Sequence, residues 1–424
     1  MMEQFLNIQN FKEFLGEGND WTESFKKAVC RLEENKGGTL YVPAGLYKTR
    51  SIELKSNITL YLESGSTLDF SDEIEKYELI DLEFEGIPTT MYMPCIYASN
   101  SENVSITGSG KIEGNGFRWW KELKELAYPR PYLVCFADCN NVKIQGVFLT
   151  NSPSWTVHPL CCDNVLIQGI TIKNPKDSPN TDGIDPDSCS NVRISDCIID
   201  VGDDCIAIKS GTEDTPRKIA CENITITNCN MIHGHGGVVI GSEMSGTVRN
   251  ISVSNCIFQD TDRGIRLKTR RKRGGAMENL VFENIIMDNV ICPFIFNMYY
   301  FCGKDGKEKY VWDKEKYSLD ETTPLIKDIM INNIIVSNAS ACAGFIYGLP
   351  EQKVENIRFS NCSIKMNQSG EYGIPAMMDN IEPMKKAGFF IRNAKNIRFN
   401  NVTFENIDGE EIDTDESSEI FMSN

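Results

Sequence analysis

The sequence predicts an all-β chain wound as a parallel β-helix. One unit of alternating apolar residues recurs from Val142 onward, each copy broken once by Gly, Asn or Asp. The copies are mostly 23 to 32 residues apart, with longer gaps before Ile329 and Ile397. Coils of this size, made of short strands with single-residue bends, suit a β-helical solenoid. A leucine-rich repeat would need its own Leu-rich consensus, and a propeller blade is longer.

The first element is helical. Residues 21–34, WTESFKKAVCRLEE, carry Phe25, Val29 and Leu32 at helical spacing, with Asp20 as N-cap and Gly37–Gly38 as the stop. This amphipathic helix is expected to close the N-terminal end of the coil stack, whose open edge would otherwise be exposed. SNITLYLE and ENVSITGSG read as less regular first coils. The regular copies begin at Val142, Val165, Val192, Ile224, Ile251, Leu280, Ile329, Ile357 and Ile397, for example VKIQGVFL, VRISDCII and IRFNNVTF. Within each copy the alternation is that of a strand. The break at Gly146, Gly169, Asp196, Asn228, Asn255, Asn284, Asn333, Asn361 and Asn401 uses residue types that tolerate left-handed backbone, so each marks a bend between two strands. A third strand follows in several copies, as in CIAI at Cys205 and GVVI at Gly237. We therefore expect one domain over 1–424: a cap to about residue 40, a loop excursion at about 293–325, and a solvated or frayed acidic tail at about 408–424.

Composition narrows the function classes. With hydrophobic residues at 41% of 424, the chain can bury a large core, and a formal charge of −17 sets its surface against polyanions and anionic membranes. An acidic ligand must then be met by a local basic patch. The start, MMEQFLNIQNFKEFLGEGND, lacks the basic and apolar regions of a secretory signal, so a cytoplasmic location is expected unless a leader was removed. No stretch is long and apolar enough to span a membrane. The 16 cysteines include no C-x-x-C pair. Cys197, Cys229, Cys256 and Cys362 share one inward position after the bend, so they are expected to be small core residues and not a redox or zinc system. The N-x-S/T triplets at Asn57, Asn223 and Asn250 are by-products of the repeat.

The third-strand segments collect polar residues. They read NTDGID from Asn180, GDDCIAIKSG from Gly202, GHGGVVIGSE from Gly234 and DRGIRLKTR from Asp262. If Ile206/Ile208, Val238/Ile240 and Ile265/Leu267 point inward, then Ala207/Lys209, Val239/Gly241 and Arg266/Lys268 point outward on one face. Asp203 and His235 lie equally far from the starts of their coils, Val192 and Ile224, and Asp182 aligns with Asp204. With coils about 4.8 Å apart, the register gathers Asp182, Asp203, Asp204, His235, Arg266 and Lys268 on one patch.

Each aspartate alone reads as an ordinary turn residue. Three together repel one another, a cost that a chemical task offsets. Glycosidic cleavage needs one carboxylic acid to protonate the leaving oxygen and one carboxylate to activate water or attack, and crowding keeps a proton on one of them. Of the basic run Arg263, Arg266, Lys268, Arg270, Arg271, Lys272 and Arg273, only Arg266 and Lys268 face the carboxylates, where they would pair with an acidic sugar. The others read as a solvated loop that steers a polyanion, and a nucleic-acid patch is the disfavoured alternative. D-G-I-D-P-D at Asp182, Asp185 and Asp187 lacks EF-hand spacing, so no metal is expected.

The four motifs, Asn180-Thr181-Asp182, Gly202-Asp203-Asp204, Gly234-His235-Gly236 and Arg266-Leu267-Lys268, resemble in order those of glycoside hydrolase family 28, the polygalacturonase family. The resemblance runs from the GGTLYVPAGLYKT segment near residue 40 to at least Gly388. It implies a right-handed parallel β-helix and an inverting hydrolysis without cofactor or metal. In it Asp203 would be the general acid, and Asp182 with Asp204 would hold and activate water. His235 would support the acid's protonation and bind substrate, and Arg266 and Lys268 would grip the galacturonate carboxylate beside the cut; Asn180 and Lys209 would join the substrate contacts. Inversion calls for about 6.5–9.5 Å between acid and base. NSPSWTVHPL and GIDPDSC are similar to the bacterial branch of the family. Trp155 and His158 are candidates for the cleft wall, with packing as the alternative for His158, and Tyr299 and Tyr300 for stacking on a sugar or for the core. The expected substrate is an acidic pectic oligosaccharide or polysaccharide, with exo action suggested by the irregular loops. A rhamnogalacturonan or xylogalacturonan hydrolase, a calcium-dependent pectate lyase and a non-catalytic β-helix binding protein are the competing readings.

Overall fold

The computed structural model describes residues 4–423, as a right-handed parallel β-helix. Two compact units divide it, Met1–Asp203 and Asp204–Asn424.

The first unit opens with the strand Phe5–Asn7 and then the helix Thr22–Glu34, whose buried face is Phe25, Ala28, Val29 and Leu32. Asp20 does cap it, its Oδ1 accepting from the Thr22 N–H at 2.8 Å, although Trp21 holds the N-cap position. The stop is a paired-turn cap: Gly37 N–H donates to Leu32 O at 2.8 Å and Lys36 N–H to Glu33 O at 2.9 Å. Lys36, and not a glycine, takes the left-handed position at φ 65°. Strands Ile58–Leu62, Glu102–Gly108, Asn140–Gln145, Asp163–Gln168 and Ser190–Ser195 then pair in parallel. Val104, Val142, Val165 and Val192 stand in one column, the register read from the sequence. An antiparallel hairpin, Leu79–Phe84 with Ile87–Tyr92, leaves the repeat and was not anticipated.

The second unit repeats the pattern. Ile224, Ile251, Leu280, Ile329, Ile357 and Ile397 pair in successive coils. Its third sheet stacks Ile206–Ile208, Val238–Ile240, Arg263–Lys268, Cys292–Asn297, Cys342–Tyr347, Ala387–Arg392 and Ile412–Thr414. Residues 292–297 are thus a regular strand, so the expected excursion at 293–325 begins only after Asn297. The acidic tail is also ordered: Ile412–Thr414 and Ile420–Ser423 each pair with the coil before them. Arg392 reaches Asp413 at 2.7 Å there, because a charged strand can still close an edge when its backbone is paired.

All nine expected bend residues have positive φ, from 52° at Asn401 to 79° at Gly146. From Val248 onward the strand ladder continues through the bend, since one left-handed residue turns the chain without losing its pairing. A second column of left-handed residues precedes the copies, Asp328 before Ile329 and asparagines before the others, among them Asn103, Asn141 and Asn164. Their side chains bond from coil to coil, Asn103 Nδ2 to Asn57 Oδ1 at 2.7 Å and Asn164 Nδ2 to Asn141 Oδ1 at 3.2 Å. Inside the coils Cys197, Cys229, Cys256 and Cys362 are buried, each thiol donating to the carbonyl two residues earlier. Each fully buried Ile, Leu or Phe contributes roughly 1.5–3 kcal/mol. No helix among the described residues is long and apolar enough to cross a membrane.

Candidate active site

Asp182 stands in the segment between strands Thr171–Lys173 and Ser190–Ser195 of the first unit, and is 3% exposed. Its carbonyl accepts from Thr156 N–H at 2.9 Å, which ties the segment to the strand Val157–Leu160. Thr181 gives the N-T-D motif a structural member: its hydroxyl meets Ser178 Oγ at 2.5 Å and accepts from Gly202 N–H at 3.3 Å. A Cβ on Gly202 would meet the carbonyl oxygens of Ser178 at 2.5 Å and Pro175 at 2.6 Å, so glycine is required by close backbone approach. The tie from Thr181 to Gly202 brings Asp182 beside Asp203. An oxygen of one lies within 4.8 Å of an oxygen of the other. The expected spacing of about 6.5–9.5 Å is one of whole carboxyl groups and not of their nearest oxygens. Asn180, at φ 53°, accepts on its Oδ1 from Arg130 Nη2 at 2.7 Å.

In the second unit Asp204, the residue after Asp203, is 1% exposed. Lys268 Nζ holds one of its oxygens at 2.7 Å and Arg266 Nη1 the other at 3.2 Å. Burial works to raise its pKa, but the charges of Lys268 and Arg266, with Lys209 behind them, outweigh it and hold the carboxyl well below the usual range. Lys209 is buried with Glu243, Nζ to Oε2 3.6 Å. The C=O of Gly236 accepts from Cys205 N–H at 2.8 Å, and a Cβ on Gly236 would lie 3.4 Å from Asp204 Oδ1, so the G-H-G segment lies against Asp204, with His235 itself exposed. Tyr300 lies under both cations, its ring centroid 5.7 Å from the Arg266 guanidinium and 5.1 Å from Lys268 Nζ.

Three expectations change. First, Arg266 and Lys268 do face one way, but their charge meets Asp204 and both are nearly buried. Second, the rest of the basic run is not a solvated steering loop: Arg263, Arg270, Arg271 and Arg273 are 0–9% exposed. They clamp loops to the coils because a guanidinium can tie several carbonyls at once. Arg263 donates to Ile374 O at 2.8 Å and Pro375 O at 3.2 Å. Arg270 and Arg273 both pair with Glu213, and Arg271 with Glu351. Only Lys272 of this group is exposed. Third, Trp155 and His158 are 3% and 1% exposed. They pack with Tyr132 and Phe84 beneath the unanticipated hairpin, Trp155 5.3 Å from Tyr132 and His158 4.6 Å. Tyr299, fully buried against Tyr347, is likewise core.

Reading the sequence missed Arg130, Glu243 and Met377. Glu243 sits in a quoted motif segment, but nothing in its spacing distinguished it. Met377 Sδ accepts from Arg266 Nη2 at 2.9 Å and its carbonyl from Asn297 Nδ2 at 3.2 Å, on a loop more than a hundred residues downstream.

The chain matches the family model described as glycosyl hydrolases family 28 over residues 34–364, and it belongs to that family. It is a glycoside hydrolase of the polygalacturonase family. A probable polygalacturonase of Vitis vinifera is 34% identical over 361 residues, 81% of this chain and 71% of that protein. Among solved structures, a hyperthermoactive exopolygalacturonase from Thermotoga maritima is 34% identical with a TM-score of 0.76, covering 86% of this chain and 88% of that one. A family 28 exopolygalacturonase of Yersinia enterocolitica shares the fold at TM-score 0.81 and 20% identity, over 99% and 78% of the two chains.

Proposed function

We propose that the protein hydrolyses α-1,4-galacturonosyl linkages of homogalacturonan or its oligosaccharides, from a chain end and with inversion. Asp203, the half-exposed carboxylate, is the general acid. Asp182 and Asp204 hold and activate the water, and His235 supports the acid. The observation that carries this reading is the grip of Lys268 and Arg266 on Asp204. It favours an ionised Asp204 at any working pH, the state a base needs. Two cations around one carboxylate also leave a net positive charge for the carboxylate of an acidic sugar. The thioether of Met377 is a weak acceptor on Arg266, and a sugar carboxylate is a better one. Tyr300, beneath both cations, supports the same subsite, while Lys209 and Asn180 act through Glu243 and Arg130.

End-on attack is favoured by the loop carrying Met377, which covers Arg266, and by the exopolygalacturonase likeness at 34% identity. The test is digestion of polygalacturonate with product sizing and proton NMR. Release of only monomer or dimer, first seen as the β-anomer, is expected. A ladder of oligomers would reject exo action, an α-anomer would reject inversion, and calcium-dependent ultraviolet absorbance would reject hydrolysis in favour of a lyase.

A further inference from the structure

Arg130 lies outside every motif, yet its side chain is among the largest buried ones of the described residues, at 2% exposure. Three acceptors from two other segments fix it. Nη1 donates to the carbonyl oxygens of Pro153 and Pro179, both at 2.8 Å, and Nη2 to Asn180 Oδ1 at 2.7 Å. Its Nε is buried without a hydrogen-bond partner. A buried guanidinium with a donor unpaired is costly, and a tie between two loops could be made by a neutral amide instead. The charge itself must therefore be offset by anions nearby. Three bear on it: Glu85 at the tip of the hairpin, Asp182 and Asp203. Burial pulls the guanidinium down to about 10 against these charges, so it stays cationic at neutral pH.

The two aspartates have the complementary problem. Their oxygens approach within 4.8 Å, and Asp204 follows Asp203 in the chain. Joint ionisation of such a pair is disfavoured unless a cation sits close. Asn180 stands two residues before Asp182, so a group that locks the Asn180 carboxamide restrains the turn on which Asp182 stands.

We propose that Arg130 is a positioning residue of the hydrolytic site, locking Asn180 and the turn into Asp182 while its charge favours the ionised form of Asp182 beside Asp203. The inference rests on the hydrolase reading above. It makes Arg130 the counterpart, in the first unit, of the cation pair on Asp204 in the second.

The experiment compares wild type with Arg130→Gln and Arg130→Lys. It follows kcat and KM on oligogalacturonides across the pH range, with thermal unfolding as the control for folding. In Arg130→Gln, kcat should fall by about 10-fold or more with KM little changed, since displacing a reacting group costs up to roughly 10²-fold. Its acidic limb should move up by about one pH unit, the lower end of what a neighbouring opposite charge supplies. Arg130→Lys keeps the charge but loses the fork, so kcat should fall while the limb stays in place. A folded Arg130→Gln with the wild-type limb, or a rise in KM at unchanged kcat, overturns the proposal. If Arg130→Gln does not fold, Arg130→Lys decides, and wild-type kcat in that variant overturns it. Inactivity of the wild type on every galacturonide would instead reject the hydrolase reading itself.

Discussion

At the scale of single residues, the molecule turns on buried charges and what faces them. Asp204→Asn should leave Lys268 and Arg266 as buried, uncompensated cations. Breaking such a pair costs about 3–5 kcal/mol, so a lowered melting temperature is expected along with loss of activity. Because the folded pKa of Asp204 lies below its unfolded value, its stabilisation is complete above the ordinary carboxylate pKa of about 4. It is lost as the pH falls below that. Unfolding measured from pH 6 to 3 should therefore show a shallower decline in Asp204→Asn than in wild type. Asp203→Asn should reduce kcat about 10²–10⁴-fold with stability nearly unchanged, the range for a lost general acid. Lys314 gives the opposite sign. Burial, then the charge of Arg271, pulls its ammonium down to about 8 against the charges of Asp379 and Asp313; it lies over the faces of Tyr299 and Tyr347 with no hydrogen-bond partner. A depressed lysine disfavours the fold wherever the unfolded chain is protonated, so stability falls as pH drops from about 10 to 8. Lys314→Met should flatten that slope and leave stability at pH 7 equal or higher.

At the scale of elements, left-handed residues and arginine clamps divide the labour. The bends were legible because Gly, Asn and Asp are the types that accept positive φ, so a break in alternation at those types has one physical reading. The second asparagine column was not read, because an Asn before an apolar run also fits an ordinary turn. Asn284→Ala removes both the tolerance of φ 54° and the bonds to Asn255 and Asn333, and should cost at least about 1–2 kcal/mol in urea unfolding. The clamps were misread as surface. A run of arginines in sequence looks solvated, and only distant loops reveal that each has acceptors: Ile374 and Pro375 for Arg263, Tyr310 and Asp313 for Arg271. Arg271→Met strands Glu351, whose side chain is 1% exposed, and should destabilise by about 3–5 kcal/mol, read as a lowered melting temperature.

At the scale of the whole molecule, net charge opposes the proposed substrate. A chain of −17 repels a polyanion at long range, and added salt screens that repulsion first, with a Debye length of about 10 Å at 0.1 M. Raising ionic strength from very low values should increase kcat/KM on polygalacturonate more than on a short oligogalacturonide, which meets less of the surface. A fall for both substrates would mean that the local cations dominate even at distance.

The amino-acid sequence alone determined the coil, its register and the family its motifs resemble. A repeat must place like residues on like positions, so periodicity fixes columns without knowledge of contacts, and the paired columns from Val104 to Val192 and from Ile224 to Ile397 follow from it. The tertiary structure decided what each polar residue faces. Whether Arg266 meets solvent or Asp204, whether Trp155 lines a wall or packs under a hairpin, and whether Arg130 matters at all depend on excursions that obey no repeat. Those loops bring Met377, Glu351 and Asn180 to partners far away in the chain, and a polar group's energy is set by that partner and its burial, not by its place in the repeat.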